Sequence, residues 1–261
     1  MSIRTVAIIG EGEFATKLKG LVSKADFKVT TSDLSGDYAK QAADVDLVLE
    51  VAPEDIAVKK KVFKSCDAKC RKETILATTT ANPWVTQLAK ATKRPEKVTG
   101  LNFTKNPFEE KYLVQMVRGL QTSDDTVQAV KEFLGKVGVP AVKLEENPGF
   151  ILDRVIASIV NEAAVMYSSK LATKEDIDSM MKVCVNWPMG PFEFADTIGV
   201  DKVVEILESM SQQLGPRYQP CFLLRKMVDA GWLGKKTGRG FYVYSYDSSK
   251  RRRRSLKTLE A

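Results

Sequence analysis

The sequence predicts an α/β domain with a parallel sheet followed by an all-α domain, and three observations carry that prediction. Short apolar runs alternate with helical segments as far as Pro148-Gly149. The first of those runs ends in a glycine-rich turn that opens a helix. Beyond Phe150 the strand signal stops, and apolar residues recur at helical spacing instead.

Taken in order, Ile3 to Ile9 reads as a buried strand, Gly10-Glu11-Gly12-Glu13-Phe14-Ala15 as the turn, and the stretch ending at Ser23 as a helix. A second strand spans Phe27 to Thr31 and stops at Asp33, about twenty residues beyond Gly10, the spacing of a dinucleotide-binding fingerprint. The first glycine permits the tight turn, the second admits a pyrophosphate, and the acid can bond a ribose hydroxyl. A Gly-x-Gly-x-x-Ala match by itself is also met where glycine only serves a turn, so the strand and helix on either side carry the reading. Asp46 to Val51, Thr74 to Thr78, Val98 to Phe103, Tyr112 to Arg118 and Ala141 to Leu144 supply further strands. Glu54 to Ala68 and Asp124 to Val137 supply helices, which makes the first domain Rossmann-like. In the second domain helices are expected over Ile151 to Ser168, Thr173 to Val185, Val200 to Leu214 and Phe222 to Ala230. The expected division is 1–147, 148–247 and a basic, disordered tail at 248–261.

Lys and Arg number 40 against 33 Asp and Glu, a formal excess of +7. Part of it is the unbroken run Lys250, Arg251, Arg252, Arg253 and Arg254, for which a solvated tail and a contact with an acidic protein or nucleic acid are both open readings. No apolar stretch approaches the roughly 20 residues of a membrane-spanning helix. Met1 to Arg4 leads at once into the first strand, so an intracellular, cytoplasmic protein is expected. Cys66, Cys70, Cys184 and Cys221 are too few and scattered for a disulfide framework, and with no histidine in the chain a zinc site is not expected.

Five motifs in the helical half occur in order: Pro148-Gly149-Phe150, Asn161-Glu162-Ala163, Asp176-Ile177-Asp178, Pro188-Met189-Gly190-Pro191-Phe192 and the segment from Gly234 to Tyr242. With Leu49 to Asp55 and Gly100-Leu101-Asn102-Phe103 in the first half, the chain resembles the L-3-hydroxyacyl-CoA dehydrogenases over nearly its whole length. The resemblance implies an NAD domain, a helical domain through which such enzymes pair as homodimers, and an active site between the two. It implies NAD contacts at Gly10, Gly12, Ala15, Asp33, Glu54 and Lys59. Glu11 and Glu13 oppose that expectation, because they set negative charge at a turn meant for a pyrophosphate.

The chemistry implied by the resemblance needs a histidine base oriented by a glutamate, with a serine and an asparagine nearby. Those four positions correspond here to Asn102, Gln115, Ala81 and Asp153, the second after a one-residue insertion within Thr104 to Lys111. Neither carboxamide titrates, so a catalytically inactive homologue is expected, serving as a structural or regulatory subunit in a homodimer or a mixed assembly. The alternative is a working NAD-dependent oxidoreductase on a 3-hydroxyacyl-CoA or a smaller hydroxy acid, with Asp153 or a lysine as proton acceptor. Only Leu34 to Val45 stands where the resemblance implies a long helical arm over the CoA ester, which reduces the expected contacts to CoA.

Overall fold

In the computed structural model, which describes residues 2–82, 84–105 and 112–244, the chain divides into two compact units, Met1–Phe150 and Ile151–Ala261. The run Lys250 to Arg254, like the rest of the tail, lies outside the described residues, as do residues 106–111.

The first unit runs β1 (Thr5–Ile9), α1 (Glu13–Ser23), β2 (Lys28–Ser32), α2 (Tyr38–Gln41), β3 (Leu47–Glu50), α3 (Ile56–Lys69), β4 (Ile75–Thr78), α4 (Val85–Ala89), β5 (Val98–Lys105), β6 (Tyr112–Arg118), α5 (Asp124–Val137) and β7 (Ala141–Glu145). Its sheet has the order β2-β1-β3-β4-β5-β6-β7. Strands β1, β3 and β4 are apolar throughout their middles because both faces are covered. Val6, Ile8, Leu47 and Leu49 pack into one core, whereas Ala7, Ile9 and Val48 pack into the other. β2 and β3 flank β1 on opposite sides, so the strand order reverses there, and the C-terminal ends of β1 and β3 form the crevice where such sheets take ligands.

The sheet is mostly parallel, as expected; the one antiparallel pairing among its described strands is that of β6 with β5, and β7 then pairs parallel to β6. Only 106–111 separate β5 from β6, too few residues for the crossover that a parallel pair requires. The short helices α2 and α4 escape sequence reading, since four or five residues cannot establish a helical period. The Asp37 side chain caps α2 by accepting from Lys40 N.

The second unit runs α6 (Leu152–Ser168), α7 (Lys174–Cys184), α8 (Pro191–Ile198), α9 (Val200–Leu214) and α10 (Phe222–Asp229). Two buried aspartates explain its motifs. Asp178 on α7 accepts from Phe192 N, Glu193 N and the Tyr242 hydroxyl, and thereby caps the start of α8. Asp196 on α8 accepts from Phe241 N, Tyr242 N and the Tyr244 hydroxyl. The backbone comes so close that an added Cβ at Gly190 would lie 2.2 Å from Asp178 Cγ, and one at Gly234 would lie 2.3 Å from Asp196 O. The motifs at Asp176 to Asp178, Pro188 to Phe192 and Gly234 to Tyr242 are thus one packed assembly of carboxylates, glycines and aromatic residues.

Candidate functional site

The glycine turn separates two roles that the sequence leaves joined. Gly10 takes φ 129° and donates its N–H to Ser32 O, and a Cβ there would sit 2.4 Å from Val51 O, so packing alone demands glycine. Gly12 takes φ 103° at the start of α1, and a Cβ there would meet nothing within 4 Å. Packing leaves that side of the turn open to an approaching group. Ala15 is buried in the core beneath α1.

Asp33 follows β2 beside this turn. Its Oδ1 accepts from Ser35 Oγ, Ser35 N and Gly36 N, and these bonds hold its carboxyl below the usual carboxylate range. The group is therefore an anion at neutral pH with its second oxygen available. Of the two glutamates in the turn, Glu13 is paired with Lys17 at 2.6 Å, which offsets part of the negative charge near the start of α1. An open glycine face and an ionised acid at the end of β2 fit a dinucleotide: Gly12 would give backbone access to the pyrophosphate, and Asp33 would accept from a ribose hydroxyl.

At the adjoining end of β3 lies a buried ionic cluster. Glu50 and Lys59 are both 0% exposed and approach to 3.1 Å. Glu50 also accepts from Ala52 N at 2.5 Å and from Thr78 Oγ1 at 2.6 Å. Burial pushes its carboxyl above the usual range, with Lys59 and Thr78 opposing. Lys59 Nζ donates further to the carbonyls of Ala52 and Thr79 and reaches Glu54 at 3.4 Å. Enclosed in this way, Lys59 acts on a ligand only through the groups it holds. Glu54 in turn accepts from Thr80 Oγ1, Ala81 N and Asn82 Nδ2. Burial works to raise the Glu54 carboxyl, but Thr80, Asn82 and Lys59 together hold it below its usual range. Glu54 thus clamps the loop after β4 that carries Ala81. Sequence reading missed Glu50, Thr78 and Thr80, although a glutamate ending an apolar strand was a signal, since a charge there needs a buried partner.

Asn102 and Gln115 are brought together as direct cross-strand partners of β5 and β6. Thr104 Oγ1 donates to Asn102 Oδ1 at 3.2 Å, and Gln115 Nε2 donates to Thr104 Oγ1 at 3.3 Å. Three uncharged side chains thus form a polar strip on one face of the sheet, with no proton acceptor that titrates near neutrality. Asp153 belongs to the second unit, in the first turn of α6, where burial pushes its carboxyl up against the opposing charge of Lys202. Among the described residues no group of three or more Cys, Asp or Glu is placed to hold a metal ion.

Comparison with known proteins bears on both units. The family described as "3-hydroxyacyl-CoA dehydrogenase, NAD binding domain" matches residues 34–147, and "3-hydroxyacyl-CoA dehydrogenase, C-terminal domain" matches 149–244. A probable 3-hydroxybutyryl-CoA dehydrogenase of Bacillus subtilis is 40% identical over 233 residues, covering 88% of this chain and 81% of the relative. The human mitochondrial hydroxyacyl-coenzyme A dehydrogenase is 35% identical over 245 residues, covering 93% and 77% respectively. The solved structure of (S)-3-hydroxybutyryl-CoA dehydrogenase from Ralstonia eutropha matches with a TM-score of 0.81 at 33% identity, over 94% of this chain and all of that one.

Proposed function

The chain belongs to the 3-hydroxyacyl-CoA dehydrogenase family, and from that premise we propose that it is an NAD-dependent oxidoreductase of 3-hydroxyacyl or 3-oxoacyl thioesters that works without imidazole, and slowly. The substrate class is supported by the relatives, which are named as dehydrogenases; an inert structural or regulatory subunit draws no support from them. The slowness is carried by one observation, the pairing of two carboxamides, Asn102 and Gln115, in a chain with no histidine. Bound NAD supplies the hydride acceptor. Asp33 and the turn at Gly10 and Gly12 hold it, and Glu54 keeps the loop at Ala81 in place.

Calorimetric titration with NADH, followed by single-turnover mixing with acetoacetyl-CoA, tests this reading. NADH is expected to bind, and Asp33→Ala to weaken it by about 10-fold, the loss of one good hydrogen bond to a charged group. Turnover is expected to be measurable but slow. Failure of NADH to bind would reject the oxidoreductase, and reduction of free acetoacetate in place of the thioester would shift the substrate to a smaller acid. The reading places the protein inside the cell, where both ligands occur and where its four free thiols stay reduced.

One observation favours a specific proton acceptor: the upward shift of Asp153 toward working pH. If Asp153 fills that role, oxidation of 3-hydroxybutyryl-CoA rises with pH along a midpoint above the ordinary carboxylate range, because only the ionised form accepts the proton. Asp153→Asn should then abolish the rise; a variant with an unchanged profile would dismiss Asp153.

We also propose that the helical unit pairs with a second copy. Leu171, Met180 and Val183 are 70%, 61% and 80% exposed, large apolar side chains clustered on and just before α7. Light scattering is expected to give a dimer that Met180→Glu converts to monomer, and a monomeric parent would refute the pairing.

A further inference from the structure

We propose that Cys66 and Cys70 form a redox-active pair, which a peroxide reaching them between α2 and α3 converts to an intramolecular disulfide. The two stand four residues apart at the end of α3, which sets them on one face of the helix, a turn apart. That spacing puts their Cα atoms about 6 Å from each other, within the span that a disulfide bridges. Both are free thiols, 1% and 8% exposed, and the strongest influence on the ionisation of each is the thiol of the other. Closing the bridge draws the side chains together, so the last turn of α3 has to give. Cys70 has already left the helical conformation there, with φ −73° and ψ 156°, while its N–H donates to Cys66 O at 2.8 Å. A helix end held in this way opens at less cost than a turn within the helix.

Buried thiols are as a rule inert, and two features set this pair apart. The first is charge. The Cys66 thiol and the guanidinium groups of Arg94 and Arg71 hold the Cys70 thiol below its ordinary range against burial and Asp67, whereas Cys70 and burial push Cys66 up. Arg94 is itself buried and donates to Cys70 O at 3.2 Å. Cys70 is therefore the nucleophile. As a thiol it donates to Ala42 O at 3.1 Å; as a thiolate it has no hydrogen for that carbonyl and turns to accept from Cys66. The second feature is access. A cavity of about 520 Å³ lies between α2 and α3, with Tyr38, Ala39, Val62 and Ser65 in its lining, and Cys66 follows Val62 by one turn. The Cys70 thiolate attacks one oxygen of hydrogen peroxide, the O–O bond breaks, and the leaving hydroxide takes up the proton released by Cys70 as water. The Cys66 sulfur then attacks the sulfenic sulfur of Cys70, and the displaced hydroxide departs with the Cys66 proton as a second water. The two thiols lose two electrons and two protons, and both peroxide oxygens end as water.

The test is peptide mapping of the folded full chain after exposure to hydrogen peroxide, with remaining thiols blocked by N-ethylmaleimide in denaturant. Trypsin cuts after Lys64, Lys69 and Arg71, so residues 65–69 and 70–71 stay together only where a disulfide joins them. In the parent both maleimide adducts are expected to be lost and the linked pair to appear, and dithiothreitol should restore the adducts. Cys66→Ser removes the resolving sulfur, so Cys70 should then be trapped by dimedone as a sulfenic acid. Cys70→Ser removes the nucleophile, and Cys66 should keep its maleimide adduct. Circular dichroism establishes that each variant is folded, and Cys184, exposed on α7, reports in every sample that the peroxide has acted. A parent with no linked peptide although its Cys184 is oxidised overturns the inference, as does a link that forms only in urea. Oxidation of Cys66 as fast in Cys70→Ser as in the parent overturns the assignment of Cys70 as nucleophile. The thioester reading uses neither thiol and stands or falls apart from these outcomes.

Discussion

The double substitution Asn102→His with Gln115→Glu is expected to raise NADH-dependent reduction of acetoacetyl-CoA by about 10²- to 10⁴-fold, the usual contribution of a positioned general acid or base. The two positions are already cross-strand partners, so an imidazole at 102 and a carboxylate at 115 would sit within reach of each other with no change of register. Gln115 is buried, and glutamate has the same length, so the second substitution adds charge without volume. That charge stabilises the imidazolium and raises its pKa, which a glutamine cannot do. Gln115→Glu alone should give no gain, and Asn102→His alone only part of it. Stopped-flow absorbance of NADH separates these outcomes. A parent chain already as fast as the double variant would show that proton transfer runs through another group. A folded, NADH-binding double variant with no gain would show that an imidazole and a carboxylate at these two positions do not restore proton transfer.

The second large effect is structural. Lys59→Met is expected to destabilise the protein by about 3–5 kcal/mol, the cost of stranding a buried charge when its partner is removed. Glu50 would keep Ala52 N and Thr78 Oγ1 but lose the ammonium group 3.1 Å away. Urea denaturation of the variant against the parent measures the loss. Because burial already favours the protonated form of Glu50 in the folded state, its folded pKa lies above its unfolded value. Protonation then relieves the stranded charge, so the deficit of Lys59→Met should narrow as the pH is lowered. Glu50→Leu with Lys59→Met removes both charges and should recover most of the stability. A single variant as stable as the parent at neutral pH would show that the pair is not needed to hold the ends of β3 and β4. The same substitution frees one oxygen of Glu54, so a loosened loop at residues 80–82 and weaker NADH binding should accompany it.

Much of this was legible in the residues themselves, and the parts that were not share a cause. The strand, glycine turn and helix at the N-terminus, the apolar strands of the sheet and the helices of the second unit are written in neighbouring residues, because turn chemistry and side-chain periodicity act over a few positions. The helix Asp124–Val137 could be placed to the residue, with Ser123 as its N-cap and Gly138 in the left-handed conformation at its end.

What required the tertiary structure depends on partners distant in the chain. Lys59 read as a cofactor contact until Glu50, Ala52 and Thr79 were seen to enclose it. Gly234 and Gly240 of the last motif are required by Asp196, some forty residues earlier, which fills the space a side chain would need. The antiparallel pairing of β6 placed Gln115 opposite Asn102, with Thr104 hydrogen-bonded to both. The sequence alone determined that this protein has an NAD-type sheet, a helical second half and no imidazole. Only the tertiary structure decided which polar groups are satisfied by one another and which are left to meet a ligand, because hydrogen bonding of buried groups is settled by proximity in space and not by order along the chain.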